Sequence, residues 1–257
     1  MPFPGKKTIP AILLLWATPA WAHFQTLLPS TDIVEPETGP AVTLDIAFTH
    51  PMEWGPVMEM GKPVQFGVLA GGGKKDLRPL LKQGKREGKN VYSAAYTFRQ
   101  PADSIFYIEP APYWEPAERK MIIHYTKVVV SAFGAEEGWD APVGLPVEII
   151  PLSRPYGLWT GNLFRGIVTK NGKPVPFAEI EVEYYNKNRR VKIPADPYAT
   201  QVIRADGNGV FAYAMPREGW WGFAALLQGE KKMKGPDGTP VDVELGGLIW
   251  VRTRDMK

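Results

Sequence analysis

The chain has no cysteine among its 257 residues, and it carries only three histidines and five serines. The missing cysteine excludes disulfides, a lipid-anchored N-terminal cysteine and thiolate metal ligands together. Any metal site must therefore be built from nitrogen, oxygen or thioether. None of the serines lies in a G-x-S-x-G elbow, so the nucleophilic hydrolase patterns fail. GGGKK at 71–75 lacks both the spacing and the Ser/Thr of a phosphate loop. Long hydrophobic runs are missing as well. The stretch AILLLWATPAW at 11–21 is too short, and too soon broken by Pro19, to span a bilayer, which takes about 20 apolar residues, and no second run follows. Long amphipathic helical patterns are also absent.

That short apolar stretch has a different use. Lys6 and Lys7 precede it as a basic n-region, and Ala20-Trp21-Ala22 follows with the small-x-small pattern of a secretory cleavage site. Residues 1–22 thus read as a signal peptide cleaved after Ala22, which predicts an exported, periplasmic protein with no transmembrane segment and a mature chain that begins at His23. Cleavage removes two lysines and no acid, so the net charge falls from +3 to +1. A nearly neutral chain needs a clustered basic face to bind a polyanion. The dense basic segment is GGGKKDLRPLLKQGKREGKN at 71–90, and it has no interleaved aromatic to stack on bases. It reads as a solvated inter-strand loop, with docking to an acidic partner or lipid headgroups as the alternative, and nucleic acid is not an expected partner.

The remainder is strand-like almost throughout. Thr43–His50 alternates polar and apolar, which puts Leu44, Ile46, Phe48 and His50 on one face of a half-buried strand. PVQFGVLA, NVYSAAYTF, SIFYIEPAPYW, MIIHYTKVVVSAF and LPVEIIPL are further runs rich in β-branched or aromatic residues and bounded by Gly or Pro. The pattern breaks at Ser153–Gly157. Beyond it, LFRGIVTKNGKPVPFAEIEVEYYN carries Asn171-Gly172 as a hairpin turn, and TQVIRADGNGVFAYAMP, GWWGFAALL and GGLIWVRT complete a second set. The 26 glycines and 26 prolines suit many tight turns. The expectation is an all-β protein of two β-sandwich domains, 23–152 and 153–257.

The leader ending in AHF, HPMEWGPVMEMGKPVQFGV, YIEPAPYWEPAERKMIIHYTKVVVSAFG, GWDAPVGLPVEIIPLSRPYGLWTGNLFRGIV and NGKPVPFAEIEVEYYN together resemble the secreted periplasmic component of nickel/cobalt uptake systems, the NikK-like family. The resemblance spans nearly the whole mature chain. It implies a non-enzymatic accessory protein that binds nickel or cobalt outside the inner membrane and passes it to membrane metal transporter components. The C-terminal part, with ADGNGVFAYAMPREGWWGFAAL, is similar to transthyretin-like or Ig-like β-sandwich modules. Such modules host many functions, so a metal claim has to rest on side chains.

The histidines are His23, His50 and His124. At a mature N-terminus, His23 offers its α-amine and its imidazole to one ion and closes a chelate ring. The alternation puts His50 at the core-facing end of its strand, where Pro51 ends the pairing and loops meet. His124 shares a face with Ile122, Thr126, Val128 and Val130, where an unpaired imidazole costs about 1–3 kcal/mol and so needs a partner. A carbonyl or carboxylate is the ordinary partner; a metal is the other. An amine and three imidazoles suit nickel(II) or copper(II), and also cobalt(II), while magnesium and calcium prefer oxygen. The Irving–Williams order favours copper, and it is the resemblance that selects nickel. An axial oxygen could come from Glu53, Glu109, Glu115 or Glu118, each of which reads first as an exposed charge. Met52, Met58 and Met60 read as packing more readily than as soft ligands for copper(I). Glu115 and Glu118 lack the separation across a cleft that glycosidic chemistry requires. Two other readings stay open. One is a copper protein of the histidine-brace kind, either a carrier or an oxidative enzyme acting on polysaccharide; the other is an exported structural module without metal.

Overall fold

The computed structural model describes residues 23–257, so the signal peptide and the cleavage after Ala22 lie outside the described residues. Among the described residues no helix is long and apolar enough to cross a membrane. The chain is all-β, and the strand runs legible in the sequence are strands. Ala41–Thr49 buries Leu44, Ile46 and Phe48 as its alternation requires, and His50 follows directly, also buried. Asn171 and Gly172 take φ of 50° and 73° between Lys170 and Lys173, which pair across the turn. Positive φ at both central residues is what a tight two-residue hairpin demands, because its twist then matches that of the strands.

Three layers stack into two sandwiches. The front sheet runs Phe24–Pro29, Ala41–Thr49, Lys89–Thr97, Lys82–Arg86. The central sheet runs Gln201–Arg204, Glu179–Tyr184, Gly219–Gln228, Val243–Arg254, Lys120–Ala132, Ala102–Glu109, Gln65–Ala70, Gly73–Asp76. The back sheet is built on Leu163–Lys170, which pairs with Val147–Pro151 on one side and Val210–Ala214 on the other. The front sheet packs Phe24, Leu27, Leu44 and Ile46 against Phe66, Phe106, Val128 and Trp250. The back sheet packs Ile149, Phe164 and Val168 against Ile180, Phe223 and Ile249.

One pairing joins the two sandwiches. The last strand, Val243–Arg254, lies parallel to Lys120–Ala132, with His124 opposite Gly246 and Val128 opposite Trp250. Its Leu248 and Trp250 face the front core while Ile249 and Val251 face the back core. A strand buried on both faces reads as a continuous apolar run, which is why GGLIWV shows no alternation. The expected division at 152/153 therefore falls along a chain whose two halves share one sheet.

The basic segment 71–90 differs from the solvated loop expected of it. Gly73–Asp76 is the edge strand of the central sheet and Lys82–Arg86 the edge strand of the front sheet, and their side chains are largely exposed. Backbone pairing to Val68–Ala70 and to Tyr92–Ser93 needs no apolar side chain, and lysines on an exposed edge discourage pairing with another molecule. Phe24–Pro29 is a further strand without a signal in the sequence, since all six of its residues are buried and no alternation survives.

A buried ion pair ties the layers together on the other side. Lys127 Nζ donates to Glu148 Oε1 at 2.6 Å with both side chains almost wholly buried. Glu148 also accepts from the backbone N–H groups of Val143, Gly144 and Leu145. Burial pushes the Lys127 ammonium down, and the carboxylate beside it holds it up. Removing one member of such a pair leaves a buried charge uncompensated. Glu148→Ala is expected to lower stability by about 3–5 kcal/mol in denaturant unfolding, because it strands both the ammonium and those N–H groups.

Candidate metal centre

Register builds the site from three places in the chain. Phe24 pairs with Thr49, so His23 and His50 come opposite each other at the end of the front sheet, with ring centroids 4.6 Å apart. His124 approaches from the central sheet, its ring edge to face with Phe48 at 5.7 Å. Phe48 also stacks on His23 at 5.7 Å, and Tyr113 closes the wall 5.0 Å from Phe48. The segment PAPYWEPAE therefore folds over the site: its strand Tyr113–Glu115 pairs with Lys120–Ile122 and carries Glu115 to His23. The three histidines thus gather at one rim of the front sandwich.

Carboxylates fix two of the imidazoles. His23 Nε2 lies 2.8 Å from Glu115 Oε2, and His124 Nε2 lies 3.1 Å from Glu244 Oε1. A carboxylate can only accept, so in each pair Nε2 carries the donated proton. His124 Nδ1 is buried and has no hydrogen-bond partner. The expectation that His124 needs a partner is met at one nitrogen and left open at the other. Glu115 corrects the reading of it as an exposed charge, being only 6% exposed, whereas Glu53 and Glu118 are exposed as expected and Glu109 is half-buried.

Burial and the neighbouring His124 push His23 down from 6.5 to about 4, so its imidazole is neutral near pH 7. Burial alone would raise Glu244, but the hydrogen bond and charge of His124, together with Lys120, hold it down to about 2. Lys120 Nζ bridges Glu244 and Glu118, each at 2.5 Å. Two further carboxyls, Glu181 and Glu183, belong to the strand Glu179–Tyr184. Burial, followed by the charges of Glu244 and Glu179, raises Glu181 to about 7. Burial raises Glu183 to about 8 against hydrogen bonds from Thr200 and the Met52 N–H. With Asn186, which donates from Nδ2 to Met52 O and from its backbone N–H to Pro51 O, Glu183 clamps the turn that follows His50. The second sandwich thereby positions a ligand candidate of the first.

Met52, Met58 and Met60 are all buried, as packing requires, and Met60 lines the narrow cleft beside His124. Among the described residues no three His, Asp or Glu side chains are grouped closely enough, as placed, to hold one ion. Glu244, Gly246 and Lys120 escaped sequence reasoning altogether. Nothing local marks them, since their relation to His124 exists only through strand register.

Gly246 is the tightest of these constraints. A Cβ there would lie 2.4 Å from His124 Cδ2 and 2.9 Å from Leu248 Cδ1. Gly246→Ala is expected to lower stability by about 1–3 kcal/mol, as overpacking does, and to abolish the His124–Glu244 hydrogen bond, visible as a changed imidazole nitrogen resonance. A second expectation concerns protons. Between pH 6.5 and 4 the unfolded chain protonates His23 while the folded chain does not, so stability should fall as pH falls through that window and level off below it. The loss should be about 3 kcal/mol. His23→Asn should remove that part of the slope in unfolding measured at each pH.

Distant structural likenesses are weak. The chain matches the D0-D1 domain of intimin at 12% identity, covering 90% of this chain and 100% of that one, with a TM-score of 0.26. It matches trypsin-activated alpha-2-macroglobulin from Escherichia coli at 12% identity, covering 90% of this chain and 16% of that one, with a TM-score of 0.27. BcpA, the major pilin subunit of Bacillus cereus, matches at 11% identity, covering 91% of this chain and 66% of that one, with a TM-score of 0.21. No curated protein matches. Residues 20–229 match the family described as "Domain of unknown function (DUF4198)", and the chain belongs to that family.

Proposed function

We propose that the protein is a non-catalytic, exported accessory protein that captures nickel(II), or cobalt(II), through His23, His50 and His124 and passes it to a membrane uptake transporter. The observation that carries this reading is the approach of the chain's only histidines to one end of the front sandwich, His23 and His50 in ring contact and His124 on the other side of Phe48 with a buried Nδ1 that has no hydrogen-bond partner. The carboxylates support it. Metal-bound histidines ordinarily donate their other N–H to a carboxylate, which sets the tautomer and strengthens the ligand nitrogen, and Glu115 and Glu244 stand in that relation to His23 and His124.

Capture on this reading requires movement. The donors must turn toward a common centre, with His23 supplying its α-amine as well as its Nδ1 once the leader is gone. His50, on the turn clamped by Glu183 and Asn186, supplies the rim-side ligand. Nitrogen donors suit nickel, cobalt and copper alike. The preference for nickel rests on the resemblance to the periplasmic component of nickel/cobalt uptake systems.

The test compares two chains by calorimetry with nickel(II). Protein that begins at His23 should bind at least about tenfold more tightly than protein that retains Ala22, because the extension turns the amine into an amide that ligates poorly at neutral pH. Equal affinity would remove the chelate from the site. Affinity should also rise with pH as the α-amine, with an ordinary value of about 7.7–8.0, loses its proton. A copper-loaded protein that cleaves polysaccharide with reductant and oxygen or peroxide would overturn the carrier reading in favour of an oxidative enzyme.

A further inference from the structure

A large groove among the described residues lies away from the histidines. It occupies about 1090 Å³ between the outer end of the front sheet and the far ends of the Glu179–Tyr184, Gly219–Gln228 and Val243–Arg254 strands. Seven lysines and arginines line it against three carboxylates, an excess of four positive charges on a chain whose residues 23–257 carry only +1 in all. The cations are not scattered. Along the groove they stand with aromatic rings: Arg252 lies 5.7 Å over Trp220, Arg254 is the register partner of Trp159, and Arg86 lines the same wall as the contacting pair Trp54 and Tyr185.

Each station sets a guanidinium beside an aromatic ring: Arg252 covers one face of Trp220, Arg86 is paired with Asp45 at 2.7 Å, and the half-exposed Arg254, 3.7 Å from buried Asp32, stands beside the half-exposed Trp159. Guanidinium forks pair carboxylates bidentately, and ring faces take the C–H face of a sugar. The three lining carboxylates, Asp45, Glu218 and Asp255, distinguish among anionic chains. They are acceptors that sugar hydroxyls can satisfy, whereas a phosphodiester chain has no hydroxyl donors on its backbone phosphates and would be repelled by them. The Val243–Arg254 and Gly219–Gln228 strands are paired on both sides; the strand edge at the groove is that of Phe24–Pro29, whose Leu28 and Pro29 line it, and Pro29 has no backbone N–H to offer an extended peptide. We propose that this groove binds an acidic oligosaccharide, a chain of carboxylated sugars, independently of the histidine site.

The proposal is tested on the mature chain with hexagalacturonate, and with cellohexaose and inorganic polyphosphate as comparators, by calorimetry and tryptophan fluorescence. Hexagalacturonate should bind and weaken as salt rises, and cellohexaose should bind about tenfold less well or not at all. Trp159→Ala and Arg254→Ala alter side chains that are about half exposed, so the fold should survive, as circular dichroism will show; each should weaken uronate binding about tenfold. Nickel affinity in both variants should match the parent. No uronate binding at millimolar concentration would overturn the proposal, as would polyphosphate binding more tightly than the uronate. Uronate binding that ignores Trp159→Ala would also overturn it, since that is plain charge attraction.

Discussion

The parallel pairing of Val243–Arg254 with Lys120–Ala132 is the constraint on which the rest of the molecule depends. A parallel pair cannot be closed by a hairpin, so the chain must complete nearly the whole second sandwich before its last strand returns to the first. The return is held by burial on both faces, where Leu248, Ile249, Trp250 and Val251 are all fully buried and each contributes on the order of 1.5–3 kcal/mol for its large side chain. Trp250 adds a polar anchor: its Nε1 donates to Gln25 O at 3.0 Å, and the Gln25 amide in turn donates to Ala47 O. A single residue of the last strand thus fixes the strand that starts beside His23, and through it the strand that ends beside His50.

The same pairing explains what was legible in the sequence and what was not. Alternation in Thr43–His50 located a half-buried strand, its inward face and a histidine at the rim, because those properties are local to one strand and one sheet face. The gathering of His23 with His50 followed from the register of neighbouring strands and could be guessed only as a coincidence of residue types. Glu244 and Gly246 could not be read at all. They lie 120 and more positions from His124 and meet it through a parallel register that no turn specifies. Glu115 was misjudged for a related reason, since a glutamate between a tryptophan and a proline reads as exposed until the strand Tyr113–Glu115 is seen folded against Lys120–Ile122. The basic edge strands failed in the opposite sense: their pairing is carried by the backbone alone, and side-chain pattern reports only that they face water.

Buried charge is handled in three distinct ways. Lys127 and Glu148 neutralise each other, with backbone donors filling the remaining carboxylate sites, so nothing is left over for a ligand. Glu183 is pushed up to about 8, so its proton is retained near neutral pH while it holds the Met52 N–H and Thr200. Around His124 neither solution is complete. Glu244 is held ionised and paired, yet the imidazole it orients keeps a buried nitrogen unbonded, and Glu181 Oε2 nearby on the same side is likewise without a partner. Unsatisfied buried atoms are costly, on the order of 1–3 kcal/mol each, and His124 Nδ1 shares that state with one oxygen each of Asp32, Asp103 and Glu181.

For a carrier the distribution of rigidity matters as much as the identity of the donors. His124 is locked between Phe48, Gly246 and Glu244 on a strand buried over most of its length. His23 precedes the first strand, and His50 stands where Pro51 ends another, so both can turn without breaking a ladder. On the proposed reading, a site of one fixed nitrogen, the buried His50 and the part-exposed His23 would let go of an ion first at His23 while the inner imidazole still holds it. The neutral state imposed on His23 by burial favours capture, because no proton has to leave that ring before it binds. On the proposed carrier reading, release calls for competition from outside, and a partner that offers ligands on the His23 side would meet the ion there first.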